Sequence, residues 1–369
     1  MTTPNRFSFG PSSLPFDLNK EIVRPQREYW PLANGGPTNV LGKVRPEEAK
    51  YKELSVRPSV TLDREGVTVI FNEIAKTTDY RVGTNKLFDF STALLTRQLS
   101  KGVDLQNLEV AFSLEEFASL QGIKVRPELT PHMTEAEIDK ERKRAKEAMK
   151  EVRQKVVRGL DALYNISLSW HETVKGKDLD FYDTRIITSK GIRNGQVRMA
   201  FDPKLAKYLS NAYVAQFPVS LLTLGDRYPS AYAMGRKLAL HASMYSNVAN
   251  ERDGILSVET LLEASGRDAE SVTNRRHRQQ IVEPFERDLD MLVDCGVLSS
   301  WEYCQAKGLP LTDDQAENHK TFSVFKKLYI KFDLVNNPMK TPEQIERIAE
   351  HKKASAKRKA TIKTAKKAN

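Results

Sequence analysis

Two ten-residue segments with the same pattern of helix-capping residues lie 144 residues apart in the chain. SLEEFASLQG (113–122) and SVETLLEASG (257–266) each have serine first, glutamate third and glycine last. Serine at the start of a helix accepts a hydrogen bond from an otherwise free backbone N–H, and glycine at the end adopts the left-handed conformation that stops the helix. Ser113 and Glu116 also have capping-box spacing. The two segments therefore predict two short helices of one module that is used twice.

The elements predicted around each segment follow one order. A helix with an apolar face precedes each segment (86–102 and 232–248), and a long helix with basic first turns follows it (135–166 and 274–298). Two strands with alternating apolar residues close each half. This is the element order of a winged helix, in which a β-hairpin wing follows a helix-turn-helix. We therefore predict an α+β, mainly helical fold with two tandem winged-helix domains.

Local signals indicate where the wings turn and where one helix bends. Gly191 and the Asn194-Gly195 pair predict a hairpin tip in the first half. Pro284 lies inside the second long helix and predicts a bend, because proline removes one helical hydrogen bond. The predicted strands are 166–170 and 197–201 in the first half and 299–305 and 327–335 in the second, with 306–320 as the loop between the last two.

Length and composition divide the chain into four parts. A chain of 369 residues is long enough for two or three domains. Eight of the 17 prolines fall in the first 60 residues, which lack apolar periodicity and are predicted to be largely disordered. The predicted parts are a Pro-rich arm (1–60), a first winged-helix domain (61–210), a second winged-helix domain (211–335) and a basic tail (336–369).

The formal charge of +10 is concentrated at the C-terminus. Residues 351–369 contain eight Lys/Arg and no acidic residue, which leaves +2 for the rest of the chain. Such a tail predicts salt-sensitive affinity for phosphates that is independent of sequence, or alternatively a solubility tail. Because the remainder is close to neutral, only local patterns can support nucleic-acid binding by the folded part.

The head of the second long helix, NRRHRQQ (274–280), has side chains suited to base recognition. Arginine bonds guanine at two positions, and asparagine or glutamine pairs with adenine. In a winged helix this head enters the major groove. The alternative is a solvated helix head, although the heptad contains no acidic residue. The predicted DNA-contacting residues are Asn274, Arg275, Arg276, Arg278 and Gln279.

Two further basic groups are candidates for phosphate contact. Residues 139–158 include nine Lys/Arg against four acidic residues, but such mixed charges equally stabilise an exposed helix through i,i+4 pairs. Basic residues at the hairpin tip suit contact with a minor groove or a backbone, and equally the protection of an edge strand. The candidates are Lys140, Arg142, Lys143 and Lys146 in the helix and Lys190, Arg193 and Arg198 at the hairpin.

The sequence contains no motif of a known catalytic or metal site. The six histidines form no H-x-H pair, and no H-E-x-x-H, Walker A or G-x-S-x-G motif occurs. Cys295 and Cys304 match no zinc spacing and are interpreted as buried thiols of a reduced, cytoplasmic protein. No run of 18 apolar residues predicts a membrane span. We expect a protein with no cofactor, metal, membrane contact or enzymatic activity.

The chain resembles the plasmid replication initiator (Rep) proteins of the tandem winged-helix class. The likeness covers about 86–335 and includes FDPKLAKYLSNAYVAQFPVSLLTLGDRYPSAYAMGRKLALHA (201–242), which joins the two predicted modules. The resemblance implies binding of double-stranded DNA at repeated origin sequences, opening of the origin and recruitment of host helicase and primase. It also implies homodimers that repress and monomers that initiate. Only the contact region 274–279 is carried over from the family to this sequence.

Other functions fit the same patterns. A winged-helix transcriptional or partition regulator would use the same DNA-binding domains. An unrecognised nuclease or a nucleoid-type protein is a third possibility, but a nuclease requires a metal-binding carboxylate cluster. The acidic segment ERDLD (286–290) lies on the reverse of the apolar helix face and is interpreted as solvated.

Overall fold

The structure is a computed structural model that describes residues 29–34, 60–64, 67–71, 82–100, 108–174, 177–226, 228–245, 254–267 and 276–337. Within these residues the fold is mixed α+β, mostly helical, with four small antiparallel sheets. No helix in the described ranges is long and apolar enough to cross a membrane. The predicted α+β class with a helical majority is therefore confirmed.

The described chain contains twelve strands and nine α-helices. The strands are β1 (Tyr29–Asn34), β2 (Val60–Arg64), β3 (Val67–Phe71), β4 (Glu109–Ser113), β5 (Ile166–Val174), β6 (Lys177–Arg185), β7 (Ile187–Arg193), β8 (Gln196–Phe201), β9 (Tyr213–Pro218), β10 (Ile255–Ser257), β11 (Leu298–Cys304) and β12 (Tyr329–Leu334). The α-helices are α1 (Val82–Ser100), α2 (Leu114–Leu120), α3 (Glu135–Tyr164), α4 (Pro203–Asn211), α5 (Pro229–Tyr245), α6 (Val258–Ser265), α7 (Glu283–Asp294), α8 (Asp313–Asn318) and α9 (Phe322–Phe325). We call residues 82–201 the first unit and residues 229–334 the second unit.

The two units contain three-stranded sheets of the same topology. In each sheet the first strand pairs with the last and the last with the middle one, in the orders β4-β8-β7 and β10-β12-β11. Each first strand ends on the serine that caps the next helix, Ser113 before α2 and Ser257 before α6. The residue after that serine then donates its N–H to the carbonyl just before the last strand. These bonds join Leu114 to Gly195 at 2.8 Å and Val258 to Leu328 at 2.9 Å.

The caps of α2 and α6 also correspond position by position. The Ser113 hydroxyl accepts a hydrogen bond from the Glu116 N–H at 3.0 Å, and the Ser257 hydroxyl accepts one from the Thr260 N–H at 3.2 Å. Both helices end at a glycine with positive φ, 69° at Gly122 and 67° at Gly266. The two predicted capped helices are therefore confirmed. The matching backbone bonds that close them run from Ile123 to Ala118 at 2.9 Å and from Arg267 to Leu262 at 3.2 Å.

The long helix α3 forms as predicted, over 135–164 instead of 135–166. Thr134 and Glu137 build a capping box at its start. Its apolar face packs on α1. Gly159 permits the close approach, since a Cβ at that position would lie 2.9 Å from the Cδ2 atom of Leu87.

The bend predicted at Pro284 takes the form of a π-helical turn over 278–282. Proline has no N–H, and its ring crowds the carbonyl four residues earlier. The backbone accommodates this by a wider turn, in which the N–H of Glu283 bonds to the carbonyl of Arg278. The helix then continues to Asp294.

Two features of the predicted wings are wrong. In the first unit, the strand predicted at 166–170 is part of β5, which pairs with β6 in a separate sheet of order β2-β3-β5-β6. Trp170 stacks on Phe181 at 4.3 Å between ring centroids, and this contact holds the β5–β6 hairpin. The hairpin that carries the predicted tip is β7–β8 instead, and we call this hairpin the wing of the first unit. In the second unit, the loop predicted at 306–320 contains α8, which begins at a capping box of Thr312 and Gln315.

The N-terminal arm contributes a strand to the fold. Residues 29–34 form β1, which pairs antiparallel with β9. Trp30 is 2% exposed and packs against Phe90 of α1, with ring centroids 5.5 Å apart. The prediction of a largely disordered arm does not hold for these residues, because Trp30 and Leu32 provide apolar side chains that are buried. Apart from Val60, Asn336 and Asn337, the rest of the predicted arm and the predicted basic tail lie outside the described residues, at 1–28, 35–59 and 338–369.

The two units share one hydrophobic core. Polar side chains also join them, because Asp89 of α1 binds Arg236 of α5 at 3.0 Å. The strand β9 lies between the units, and its Gln216 N–H donates to the Ser243 hydroxyl of α5 at 2.9 Å. Their relative position is therefore held by apolar and polar contacts together.

Candidate nucleic-acid interface

The head of the second long helix is exposed. Arg276, Arg278 and Gln279 all have exposed side chains, as does Gln280, which the sequence analysis did not include. The other two predicted reading residues, Asn274 and Arg275, lie outside the described residues. Arg278 is partly engaged, because its Nε atom lies 3.2 Å from a carboxylate oxygen of Glu283. Arg276 and the two glutamines are therefore the best placed to contact a ligand.

His277 fixes the orientation of this head. Its side chain is buried, and its ring lies against Phe322 of α9 with centroids 4.0 Å apart. The helix α9 is held in turn by Phe325, which packs edge-on against Phe285 of α7 at 5.3 Å. Because His277 points inward, its neighbours Arg276 and Arg278 point to solvent. The helix α9, which the sequence analysis missed, thus supports the exposed head.

A largely buried ion pair joins the end of α6 to α7. The Arg267 guanidinium donates to the Asp288 carboxylate and, at 3.2 Å, to the Pro284 carbonyl. Burial lowers the pKa of Arg267 and raises the pKa of Asp288, while their mutual attraction opposes both changes. Arg267 directly follows Gly266, so the pair fixes the second long helix against the capped helix of its unit.

The candidate residues of α3 lie on its solvent side. Lys140, Arg142, Lys143 and Lys146 are all exposed. Arg142 contacts Asp139 at 3.7 Å, whereas the three lysines form no ion pair with any residue that the structure describes. Sequence reasoning missed two exposed residues on the same side, Lys150 and Arg153. The sequence contained the signal for both residues, since they continue the helical spacing of Lys143 and Lys146 along one side of the helix.

The wing of the first unit has the predicted turn. Asn194 and Gly195 have φ values of 51° and 75°, as in the two-residue turns that join twisted strands. Arg193 is exposed beside this turn. Gly191, predicted at the tip, lies within β7 opposite Arg198. A groove of about 530 Å³ runs along the hairpin and is lined by Gly191, Ile192, Arg193, Asn194, Gln196 and Arg198.

The other two basic candidates of the wing contact the protein itself. The Lys190 ammonium bonds to Asp161 of α3 and lies 4.7 Å from the centroid of the Tyr164 ring. Arg198 contacts Glu109 of β4 at 3.7 Å. The structure therefore uses Lys190 to hold the wing against α3 and leaves Arg193 as the most accessible cation of the hairpin.

The two thiols differ in burial, since Cys304 is buried and Cys295 is partly buried. Within the described ranges, no group of three His, Cys, Asp or Glu side chains is placed to hold a metal ion. Burial raises the pKa of the Cys304 thiol to about 11 and also raises the pKa of the Cys295 thiol. Both thiols are therefore protonated at neutral pH.

Candidate cations that are exposed thus lie at the head of the second long helix, along α3 and beside the turn of the β7–β8 hairpin. No protein-family model matches this chain, and no curated protein matches it either. The inference of function consequently rests on the residues of these three places.

Proposed function

We propose that this chain binds double-stranded DNA through two tandem winged-helix domains. The observation that supports this best is the repeated unit, in which a capped helix, a long helix and an antiparallel wing recur with the same strand pairing. In winged helices the long helix enters the major groove, and flanking groups bind phosphates. The proposed domains are those predicted from the sequence, 61–210 and 211–335.

The second unit is the proposed sequence reader. Arg276, Gln279 and Gln280 lie within five residues of one another in the helix head, and all three are exposed. An arginine and two amides offer guanine and adenine their preferred hydrogen-bonding partners in the major groove. Arg278 lies to the side and is bonded to Glu283, so we assign it to a flanking contact. Asn274 and Arg275 belong to the same proposed contact region.

The proposed biological role is that of a replication initiator of a plasmid or mobile element. This part rests on the resemblance to tandem winged-helix Rep proteins, which bind repeated origin sites. The proposed partners are origin repeats in double-stranded DNA, host helicase and primase components and a second copy of the chain. The protein would act in the cytoplasm by binding alone, without a cofactor or a catalytic step of its own.

Site selection from a random duplex library with the purified full chain tests this proposal. The selected sites are then placed on a plasmid without an origin, and the chain is supplied in trans. An initiator enriches a motif that supports replication when it is present in repeated copies. A regulator enriches a single site, typically a palindrome, and represses a reporter without replication. Metal-dependent cleavage of the selected DNA would indicate a nuclease, and no enrichment would contradict sequence-specific binding.

A further inference from the structure

We infer that the exposed side of α3 holds the DNA backbone without reading bases, so that the first unit holds the duplex while the second unit reads it. The inference rests on the proposed function and assigns a phosphate-binding surface that we call the cationic stripe. The stripe consists of Lys143, Lys146, Lys150 and Arg153.

The four side chains form one line along the helix. Their spacing of i, i+3, i+7 and i+10 places them on the same side of α3, and all four are exposed. Ten residues of helix extend over about 15 Å. One strand of B-DNA presents a phosphate about every 3.4 Å along the axis. A stripe of this length therefore matches the span of about four phosphates.

The stripe residues, like Lys140, form no ion pair within the described residues, whereas several other cations of α3 have a carboxylate partner. Arg144 binds Glu141, and Lys155 contacts both Glu151 at 3.0 Å and Asp226 at 3.1 Å. No stripe residue forms an ion pair with any residue in the described part of the chain. The protein thus neutralises the neighbouring cations and leaves those of the stripe available to an external anion.

One carboxylate lies beside the stripe. Glu147 follows Lys143 by four residues and precedes Lys150 by three, but no ion pair joins it to either within the described residues. Four cations and one carboxylate leave a net charge of +3. The local field therefore remains favourable to a polyanion such as the phosphate backbone.

The composition of the stripe favours the backbone over bases and over a membrane. The stripe contains only lysine and arginine, which suit phosphate contact, and it lacks the amide side chains that accompany arginine in the head of the second long helix. A membrane-surface helix needs an exposed apolar face. The apolar face of α3, with Val152, Val156 and Leu160, is buried instead, and Val157 is a single exposed apolar side chain rather than part of a continuous face.

The test compares two variants that each lose four positive charges. The stripe variant carries Lys143→Gln, Lys146→Gln, Lys150→Gln and Arg153→Gln. The control variant carries Lys124→Gln, Arg126→Gln, Arg144→Gln and Lys331→Gln, which all have carboxylate partners. Affinity for the selected duplex and for a random duplex of equal length is measured by fluorescence anisotropy over a range of salt concentrations. Thermal unfolding verifies that both variants are folded.

We expect the stripe variant to lower the slope of log K against log salt by about three to four, at about 0.9 for each lost phosphate contact. Both duplexes should lose affinity by the same factor, so the preference for the selected sequence is retained. The control variant should change the slope by less than about one, because its charges are already paired.

Four results would overturn the inference. An unchanged slope in a stripe variant that still binds DNA excludes backbone contact, and a reduced preference for the selected sequence shows that the stripe reads bases. Stripe-dependent binding to anionic lipid vesicles, with an unchanged DNA slope, assigns the surface to a membrane. If the unaltered chain binds neither duplex, the proposed function itself is wrong and the inference is wrong with it.

Discussion

Asp89 of α1 and Arg236 of α5 form a buried ion pair between the two units. The Arg236 Nε atom lies 3.0 Å from both carboxylate oxygens of Asp89, and the two side chains are 5% and 1% exposed, respectively. The Tyr232 hydroxyl donates to the same carboxylate at 2.7 Å. Because water does not reach these charges, each depends on the other for its stabilisation.

Asp89→Ala is expected to lower the free energy of unfolding by about 3–5 kcal/mol, because it removes the carboxylate that compensates the buried Arg236 charge. Urea denaturation followed by circular dichroism measures the change. Glu115→Ala is the control, since its partner Arg126 is exposed, and its denaturation midpoint should match that of the unaltered chain. Equal midpoints for Asp89→Ala and the unaltered chain would contradict a structural role of the pair.

Asp226 predicts a loss of stability in acid. Its carboxylate contacts Lys86 at 3.2 Å and Lys155 at 3.1 Å. Burial acts to raise the pKa of Asp226, but the two ammonium groups outweigh it and hold the pKa below its ordinary value of 3.8. The stabilisation is therefore fully present above pH 3.8 and is lost as the pH falls through the lowered native pKa. Asp226→Asn should weaken the dependence of the free energy of unfolding on pH below pH 3.8. If the free energy of unfolding of the variant and of the unaltered chain falls with pH in parallel, Asp226 does not cause the loss of stability.

The two cap serines predict equal effects in the two units. Ser113→Ala and Ser257→Ala should each cost about 1 kcal/mol of stability, because each leaves one helical N–H without its acceptor. The double variant should lose the sum, since the two sites share no partner. Chemical denaturation of the three variants measures these values. If one of the two serine substitutions leaves the free energy of unfolding unchanged, the two caps are not equivalent.

Phe322→Ala should weaken sequence-specific DNA binding, although Phe322 itself is not among the proposed DNA-contacting residues. The ring of Phe322 holds His277, and His277 turns Arg276 and Arg278 outward. Loss of one aromatic contact, worth up to about 1.5 kcal/mol, should lower affinity for the selected duplex by up to about tenfold. Affinity for a random duplex should change less. Ser323→Ala, an exposed position on the same helix, is the control, and equal losses in both variants would contradict positioning by Phe322.

Local signals predicted the repeated part of the fold. Serine and glycine fix the ends of α2 and α6 through bonds that span only a few residues, so the sequence alone locates both helices. Pairing between distant segments was not predictable in the same way. The strand β1 pairs with β9, and Trp30 finds its partner Phe217 across that ribbon far along the chain. A period of apolar residues shows that a strand exists, but does not show which strand it joins.

The candidate site likewise contains residues that the sequence predicted and residues whose role only the structure shows. The basic head of the second long helix was visible because its charges are adjacent in sequence. Lys150 and Arg153 were also within reach, by helical spacing alone. The role of Lys190 was not, because its partner Asp161 is 29 residues away on another element. Only the structure therefore shows which basic side chains are exposed and which are bonded to carboxylates of the protein.

Affinity measurements on the variant Arg276→Ala/Gln279→Ala test DNA reading by the second unit most directly. Each good base contact contributes about 1–3 kcal/mol of discrimination. The folded variant should therefore lose at least about tenfold of its preference for the selected duplex over a random one, while its salt dependence stays close to that of the unaltered chain. An unchanged preference in this variant would contradict the assignment of this helix head as the reader of sequence.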